Sequence, residues 1–375
     1  MEYRELKESG IKPSLLGFGC MRFPTLDNGR IDRARAEEMM DVAIKAGVTY
    51  IDTAYPYHEQ ESELFVGEVL KKYPRDSFYL ATKCSLWYIE THEDAINMFE
   101  NQLNRLQVDY FDFYLIHSLS KELWDKALKL GVLDYLLEMK KAGKIRQLGF
   151  SFHDEFEVFE EIIRYTDWDF CQIQLNYIDT NIQAGIKGYT LAKELGIPLV
   201  IMEPIKGGTL ARLSEDMEVK FKLVHPEWSI SSWALRWVAS LDNVKVILSG
   251  MSTMDHVTDN LNTFNNFTIL NSDEQNTVNE VADMIHSRKK NGCTGCNYCM
   301  PCPYGVNIPR NFRIWNDLGI FGDIEKAKKR YFTHCPPEQR SDMCTWCGAC
   351  EPLCPQSIPI REDLKKMTEE FNQLQ

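Results

Sequence analysis

The segment GVTYIDTAYPY, residues 47–57, combines a glycine, a short apolar run, an aspartate that ends the run and a tyrosine shortly after it. Gly47 lies where the C-cap of a helix is expected, and residues 49–52 are typical of a buried strand. Asp52 therefore closes a strand that follows a helix. Such a unit indicates a parallel sheet in which strands alternate with helices.

The same alternation extends over about the first 285 residues. Short apolar segments predict eight buried strands, at 15–20, 49–52, 78–82, 111–116, 145–150, 170–175, 199–202 and 244–248. Apolar residues at helical spacing predict helices at 33–46, 61–73, 93–106, 125–142, 156–165 and 184–195. This pattern predicts a (β/α)8 TIM barrel, in which active sites lie at the C-terminal ends of the strands.

Polar residues close several of these predicted strands. Asp52 ends the second strand, Lys83 the third, His117 the fourth and Ser151 the fifth. The stretches that carry them, GVTYIDTAYPY, ATK, YLIHS and GKIRQLGFS, resemble the aldo/keto reductase family, and the resemblance covers most of residues 12–265. It implies a barrel that transfers hydride to or from a carbonyl carbon.

The resemblance also implies roles for four residues. Tyr57 would protonate the carbonyl oxygen, because the family's Asp-x4-Tyr spacing selects it over Tyr55. The ammonium of Lys83 would lower the pKa of this phenol from its ordinary value of about 10. Asp52 would keep Lys83 charged, and His117 would orient the substrate oxygen.

A dinucleotide over the barrel mouth is implied in the same way, and no Rossmann glycine fingerprint is present. Ser151 and Gln172 match residues that hold the nicotinamide carboxamide, while Met202 stands where many members have a tyrosine. The late loops supply the other candidate contacts, which are Lys206, Gly207, Ser249, Gly250 and Asn260. Gly250 and His256 fall where members that select the 2′-phosphate often carry lysine and arginine, so NADP, NAD and a noncovalent flavin all stay open.

Eight of the twelve cysteines form two runs near the C-terminus. The second run has the C-x2-C-x2-C-x3-C-P spacing of [4Fe-4S] ligation, in which the fourth cysteine usually reaches the other cluster. We therefore predict one cluster on Cys293, Cys296, Cys299 and Cys354, and another on Cys344, Cys347, Cys350 and Cys302. The first run is shorter by one residue, so Cys335 is an alternative to Cys302; zinc and disulfides fit the spacing less well.

The segment between the two cysteine runs reads as largely helical and resembles the helical ferredoxin domains found beside reductases. We predict a barrel domain over residues 1–287 and a small, mainly helical ferredoxin-like domain with a C-terminal helix over residues 288–375. The role of the clusters stays open between electron transfer and structure, and a ferredoxin or another electron-transfer protein is a candidate partner.

Composition narrows the classes of function. A net charge of −13, from 42 Lys and Arg against 55 Asp and Glu, disfavours nucleic acid as a partner. No apolar run is long enough to span a bilayer and no signal peptide is evident, so we expect a cytoplasmic protein away from the membrane. The leading hypothesis is a carbonyl oxidoreductase acting on a small molecule. Alternatives are an electron-transfer or redox-sensing module that binds nucleotide, and a lyase or isomerase with structural clusters.

Overall fold

The computed structural model of the chain describes residues 1–7, 10–293, 295, 297–354 and 356–374. Within them, eight parallel strands close into a barrel in sequence order, with β8 paired to β1. The strands are β1 Leu16–Gly19, β2 Tyr50–Asp52, β3 Tyr79–Cys84, β4 Phe111–Leu119, β5 Ile145–Phe152, β6 Phe170–Gln174, β7 Leu199–Met202 and β8 Val244–Ser249. The predicted barrel is confirmed.

Helices follow the strands along the chain. They are α1 Arg33–Lys45, α2 Ser62–Leu70, α3 His92–Leu106, α4 Lys121–Lys129, α5 Val132–Lys141, α6 Phe156–Ile163, α7 Gly185–Glu194, α8 Glu215–Val224, α9 Ile230–Ala239, α10 Met254–Asn265 and α11 Ser272–Arg288. The C-terminal helices are α12 Ile308–Phe321, α13 Ile324–Lys328 and α14 Ile360–Gln373. No helix of the described residues is both long and apolar enough to cross a bilayer.

Two helical regions differ from the sequence prediction. The helix predicted over 125–142 is broken into α4 and α5 at Gly131, whose φ of +67° interrupts the helical backbone. Residues 209–228, where the sequence predicted no helix, contain α8. The periodicity of this short, charged segment was too weak to indicate a helix.

The barrel interior is filled by its own side chains, as expected for this fold. A buried cluster joins Tyr50, Phe113 and Phe170 with smaller apolar residues of the other strands. Leu6 belongs to the same cluster, because an antiparallel bridge between Tyr3 and Ser14 brings the N-terminal segment to the barrel. Strand ends, rather than a central pore, are therefore left to form a site.

Packing divides the chain into two units. The first contains Met1–Ala211 and Glu227–Gln275, and the second contains Arg212–Pro226 and Asn276–Gln375. The second unit therefore includes α8 and residues 276–287 in addition to the residues after the boundary predicted at 287. Its own apolar core is built mainly from α12 and α14, including Phe312, Trp315 and Phe371, and the described cysteines of both runs except Cys347 pack against that core.

Candidate active site and cysteine cavities

A buried lysine lies at the centre of the barrel's polar strand ends. Lys83, near the end of β3, is fully buried, and its Nζ lies 2.7 Å from Asp52 Oδ1 and 2.8 Å from the carbonyl oxygen of Thr53. The same nitrogen lies 3.3 Å from the hydroxyl of Tyr57. Neighbouring parallel strands β2 and β3 deliver these groups to one edge. The structure thus brings three predicted residues together.

The lysine is held in its charged form. Burial alone would lower the pKa of Lys83, but the charge of Asp52 and the nearby Tyr57 outweigh burial and raise that pKa above its ordinary value. The second oxygen of Asp52, Oδ2, has no hydrogen-bond partner within the described residues. The Lys83 ammonium has three acceptors, which are the Asp52 carboxylate, the Thr53 carbonyl oxygen and the Tyr57 hydroxyl oxygen.

The phenol differs from the sequence expectation. Burial raises the pKa of Tyr57 above its ordinary value, and the Lys83 ammonium offsets only part of this rise. The expected net lowering was wrong, because the sequence does not reveal how deeply the hydroxyl is buried. Tyr57 consequently keeps its proton at neutral pH, which is the state that a proton donor needs.

His117 completes the group from β4. Its Nδ1 lies 2.8 Å from the hydroxyl of Ser85, and its ring packs 4.8 Å from that of Trp87. Burial, reinforced by the charge of Lys83, lowers the pKa of His117 well below its ordinary value, so the imidazole is neutral at pH 7. Sequence reasoning missed Ser85, although it follows Lys83 by two residues and so points to the same side of the extended chain.

The predicted carboxamide contacts lie on adjacent strands β5, β6 and β7. Ser151 Oγ accepts a hydrogen bond of 2.6 Å from the backbone nitrogen of Ser118, and Gln172 Nε2 donates to the sulfur of Met202 at 3.5 Å. The buried Oε1 of Gln172 has no partner in the described part of the chain. An unpaired buried acceptor fits an amide N–H of a ligand such as a nicotinamide carboxamide.

Lys206, in the loop after β7, already has a charged partner within the chain. Lys206 Nζ lies 2.6 Å from both oxygens of the buried Asp179, so its charge is already paired. Gly207 and Gly208 follow with positive φ angles of 58° and 92°. The prediction of Lys206 as a phosphate contact overlooked Asp179, which comes from a different loop and carries no motif.

The remaining cofactor candidates lie at the end of β8 and on α10. Ser249 Oγ accepts a hydrogen bond of 2.8 Å from Asn260 Nδ2 of α10, and both side chains are buried. Gly250 follows directly, and His256 Nδ1 accepts from the backbone nitrogen of Ser252 at 3.3 Å. These contacts tie the β8 loop to α10 but do not select a coenzyme.

The turn after Tyr57 has an unusual backbone. His58, Glu59 and Gln60 all have positive φ angles, of 51°, 53° and 71°. Residues other than glycine pay roughly 1–2 kcal/mol each for a left-handed helical conformation. Contacts from the surrounding structure must therefore hold this turn in place.

In the C-terminal unit, the cysteines line two separate cavities. Cys293, Cys299 and Cys354 line the first, together with Ile308 and Phe312. Cys296, the remaining predicted ligand of this cluster, lies outside the described residues. This grouping draws the last cysteine of the second run to the first run, as the predicted pairing requires.

The second cavity has the complementary set. Cys302, Cys344, Cys347 and Cys350 line it, whereas Cys335 does not. None of the described cysteines is in a disulfide. Within the described residues, no group of three or more His, Cys, Asp or Glu side chains is arranged to hold a single metal ion. Both cavities therefore fit an inorganic cluster with cysteine ligands.

Comparison with known proteins agrees with this architecture. The model of the aldo/keto reductase family matches residues 15–283, and that of a 4Fe-4S dicluster domain matches residues 292–358. The chain belongs to the aldo/keto reductase family, a family of oxidoreductases, and carries a 4Fe-4S dicluster domain at its C-terminal end.

Individual relatives resemble the barrel. Aldo-keto reductase YhdN of Bacillus subtilis is 34% identical over 161 residues, covering 40% of this chain and 47% of that protein. The NADH-specific methylglyoxal reductase of Escherichia coli is 26% identical over 284 residues, covering 64% of this chain and 85% of the relative. The solved holo form of aldo-keto reductase AKR11C1 from Bacillus halodurans superposes with a TM-score of 0.64 at 26% identity, over 75% of this chain and 96% of the other.

Proposed function

We propose that the protein reduces a small aldehyde or ketone, or oxidises the corresponding alcohol, with a nicotinamide coenzyme and with Tyr57 as the acid. The observation that carries the proposal is the 3.3 Å approach of the buried Lys83 ammonium to the Tyr57 hydroxyl, with Asp52 at 2.7 Å behind it. The 26% identical relative named as an NADH-specific methylglyoxal reductase supports both the coenzyme and the carbonyl class.

Proton transfer follows from the pairing. A bound nicotinamide coenzyme would supply the hydride, with both its electrons, for the carbonyl carbon. The Tyr57 hydroxyl donates its proton to the carbonyl oxygen, so the product is an alcohol and a phenolate remains. Lys83 stabilises that phenolate by charge, and Asp52 keeps the lysine protonated in a buried site.

His117 orients the substrate. A neutral imidazole whose Nδ1 accepts from Ser85 carries its proton on Nε2 and can donate a hydrogen bond to the carbonyl oxygen. Because the low pKa of His117 keeps it uncharged, it does not compete with Tyr57 as the source of the proton. Trp87 and Tyr88, both partly exposed beside it, give the substrate an apolar wall.

For the coenzyme, we propose that Gln172 Oε1 accepts from the carboxamide and that Ser151 and Met202 contact the same end. Because Lys206 is paired with Asp179, it does not indicate whether the coenzyme is NADH or NADPH. Kinetics with both coenzymes would decide between them. The flavin stays a prediction from sequence, and the comparisons give it no support.

We also propose that the clusters exchange electrons one at a time with a separate partner protein. The first would be held by Cys293, Cys296, Cys299 and Cys354, and the second by Cys302, Cys344, Cys347 and Cys350. Cys347 is exposed, and the neighbouring Trp346 is 46% exposed. An accessible ligand loop is what a docking electron carrier requires, and this favours electron transfer over a purely structural role.

Kinetics of two tyrosine variants test the proposed acid. Anaerobically prepared protein is assayed with methylglyoxal and a panel of aldehydes, using NADH and NADPH. Tyr57→Phe should lower kcat by about 10²-fold or more, because the general acid is lost. Tyr55→Phe, two residues away and packed on Tyr88, is the matched control and should stay close to wild type. Full turnover by Tyr57→Phe would remove this mechanism.

A further inference from the structure

The left-handed turn at residues 58–60 connects Tyr57 to helix α2. Three consecutive residues other than glycine adopt positive φ angles there, and α2 begins at Ser62. Such a conformation persists only where neighbouring groups hold it. The position of the Tyr57 hydroxyl therefore depends on whatever grips this turn.

Arg105, near the end of α3, grips it from outside the barrel mouth. Its guanidinium donates through Nη2 to the carbonyl oxygen of Gln60 and through Nε to Glu63 Oε2 at 2.9 Å. Helices α2 and α3 can lie this close because residue 67 of α2 is a glycine. A Cβ there would come within 2.6 Å of the Arg105 carbonyl oxygen.

The other end of the network reaches the lysine strand. The buried Glu63 accepts from Thr82 at 2.7 Å and from Gln102 at 2.6 Å. Gln102 Nε2 also donates to the backbone carbonyl oxygen of Lys83 at 3.0 Å. One connected set of side chains thus contacts the backbone of Lys83 and the turn that follows Tyr57.

We propose that Arg105 is a positioning residue for proton transfer. Together with Glu63 and Gln102, it fixes the turn to the strand that carries Lys83 and so keeps the Tyr57 hydroxyl within reach of Lys83 Nζ. The inference rests on the proposed function of Tyr57. Arg105 contacts Glu63 and the backbone of Gln60, so its effect on Tyr57 passes through the backbone.

Replacement of two partly buried arginines separates this role from general stability. Arg105→Met should lower kcat at least tenfold and change KM by less than threefold. Arg75→Met is the matched control, because Arg75 also pairs with a buried carboxylate, that of Asp112 at 2.7 Å, near the start of β4 and so at the opposite end of the barrel. It should destabilise the barrel but keep kcat within twofold of wild type.

A glycine rescue tests the role of the turn itself. Gln60→Gly removes the penalty for a positive φ at the residue whose carbonyl Arg105 holds. Added to Arg105→Met, it should restore kcat at least threefold, and alone it should have little effect. Hydrogen exchange of a peptide covering residues 57–62 gives a readout without substrate; exchange should be faster in Arg105→Met and unchanged in Arg75→Met.

Three results would overturn the inference and leave Tyr57 as the acid. They are a kcat of Arg105→Met within twofold of wild type, no recovery on adding Gln60→Gly, or unchanged exchange of the turn in Arg105→Met. Full turnover of Tyr57→Phe would instead overturn the proposed function itself.

Discussion

The barrel mouth and the cysteine loops are built on opposite principles. At the barrel mouth, charged groups are buried and paired within the chain, as in Lys83 with Asp52 at 2.7 Å. In the first cysteine run, residues 291–309 contain no charged side chain, and thiols line the two cavities. The barrel mouth thus contains an ion pair within the chain, whereas the C-terminal unit presents thiols in a 4Fe-4S dicluster domain.

The difference indicates which interactions hold each site in place. Burying an ion pair costs desolvation, which only well-placed partners offset. A small apolar core lined by cysteines gains its order from the metal–thiolate bonds, because cluster binding and folding are coupled. Mutations should therefore act in the barrel through charge and geometry, and in the C-terminal unit through cluster content.

The largest expected effect concerns the pairing of the cysteine runs. Cys293→Ser and Cys354→Ser should each reduce iron from about eight to about four atoms per chain, since each removes a ligand of the same [4Fe-4S] cluster. Their double variant should keep about four. By contrast, Cys293→Ser combined with Cys302→Ser should lose nearly all iron, as measured on anaerobically prepared protein.

The control is Cys335→Ser, which should keep about eight irons because Cys335 does not line either cavity. If the Cys293 and Cys354 changes instead added up to complete loss, each run would hold its own cluster, and the crossed pairing would be wrong.

An intermediate effect is expected from acid on the barrel. Burial lowers the pKa of His117, so below pH 6.5 the imidazole takes up a proton in the unfolded state but stays neutral in the folded state. This contribution is complete above pH 6.5 and is lost as pH falls toward the folded pKa. Between pH 6.5 and 5.5 this should lower the free energy of unfolding by at most about 1 kcal/mol, because the unfolded imidazole is already half protonated at pH 6.5. Urea unfolding of the barrel should show a weaker acid dependence in His117→Gln.

His153 serves as the comparison for that experiment, because burial lowers its pKa as well. His153→Gln should also reduce the acid dependence, but the two effects should not add, because the charge of His153 is one of the causes of the lowered pKa of His117. An identical pH profile for wild type and His117→Gln would show that His117 is not buried in its neutral form.

The smallest effect is expected at Lys206. Because its ammonium is already paired with Asp179, Lys206→Met should raise the KM for the coenzyme by less than about threefold. Steady-state kinetics with NADH and NADPH measure it. A rise of tenfold or more would mean that the lysine leaves Asp179 to bind phosphate, and would move the late loops into the coenzyme site.

Much of the fold could be predicted because each strand and most helices carry a local pattern. Strand β2, for example, ends at Asp52 as predicted, and β7 matches its predicted range. The approach of Lys83 to Tyr57 was implied by the resemblance to the aldo/keto reductase family, because Tyr57 lies in the loop after β2 and not at a strand end. The sequence could not predict how deeply a side chain is buried, as for Tyr57, whose pKa is raised by burial. It also could not predict partners that are distant in the chain, such as Asp179 for Lys206 and the Gln60 carbonyl oxygen for Arg105.

The inclusion of α8 in the C-terminal unit has a consequence for how this enzyme can be divided. The polypeptide passes between its two units three times, at about residues 211, 226 and 275. Arg288 donates to Ser214, and Lys220 pairs with Glu280, so α8 is fastened by residues near the end of α11. A barrel cut free after residue 275 would display α8 with its partners gone. The chain thus enters the unit that contains the cysteine runs twice, at residues 212 and 276, instead of being joined to it by a single linker.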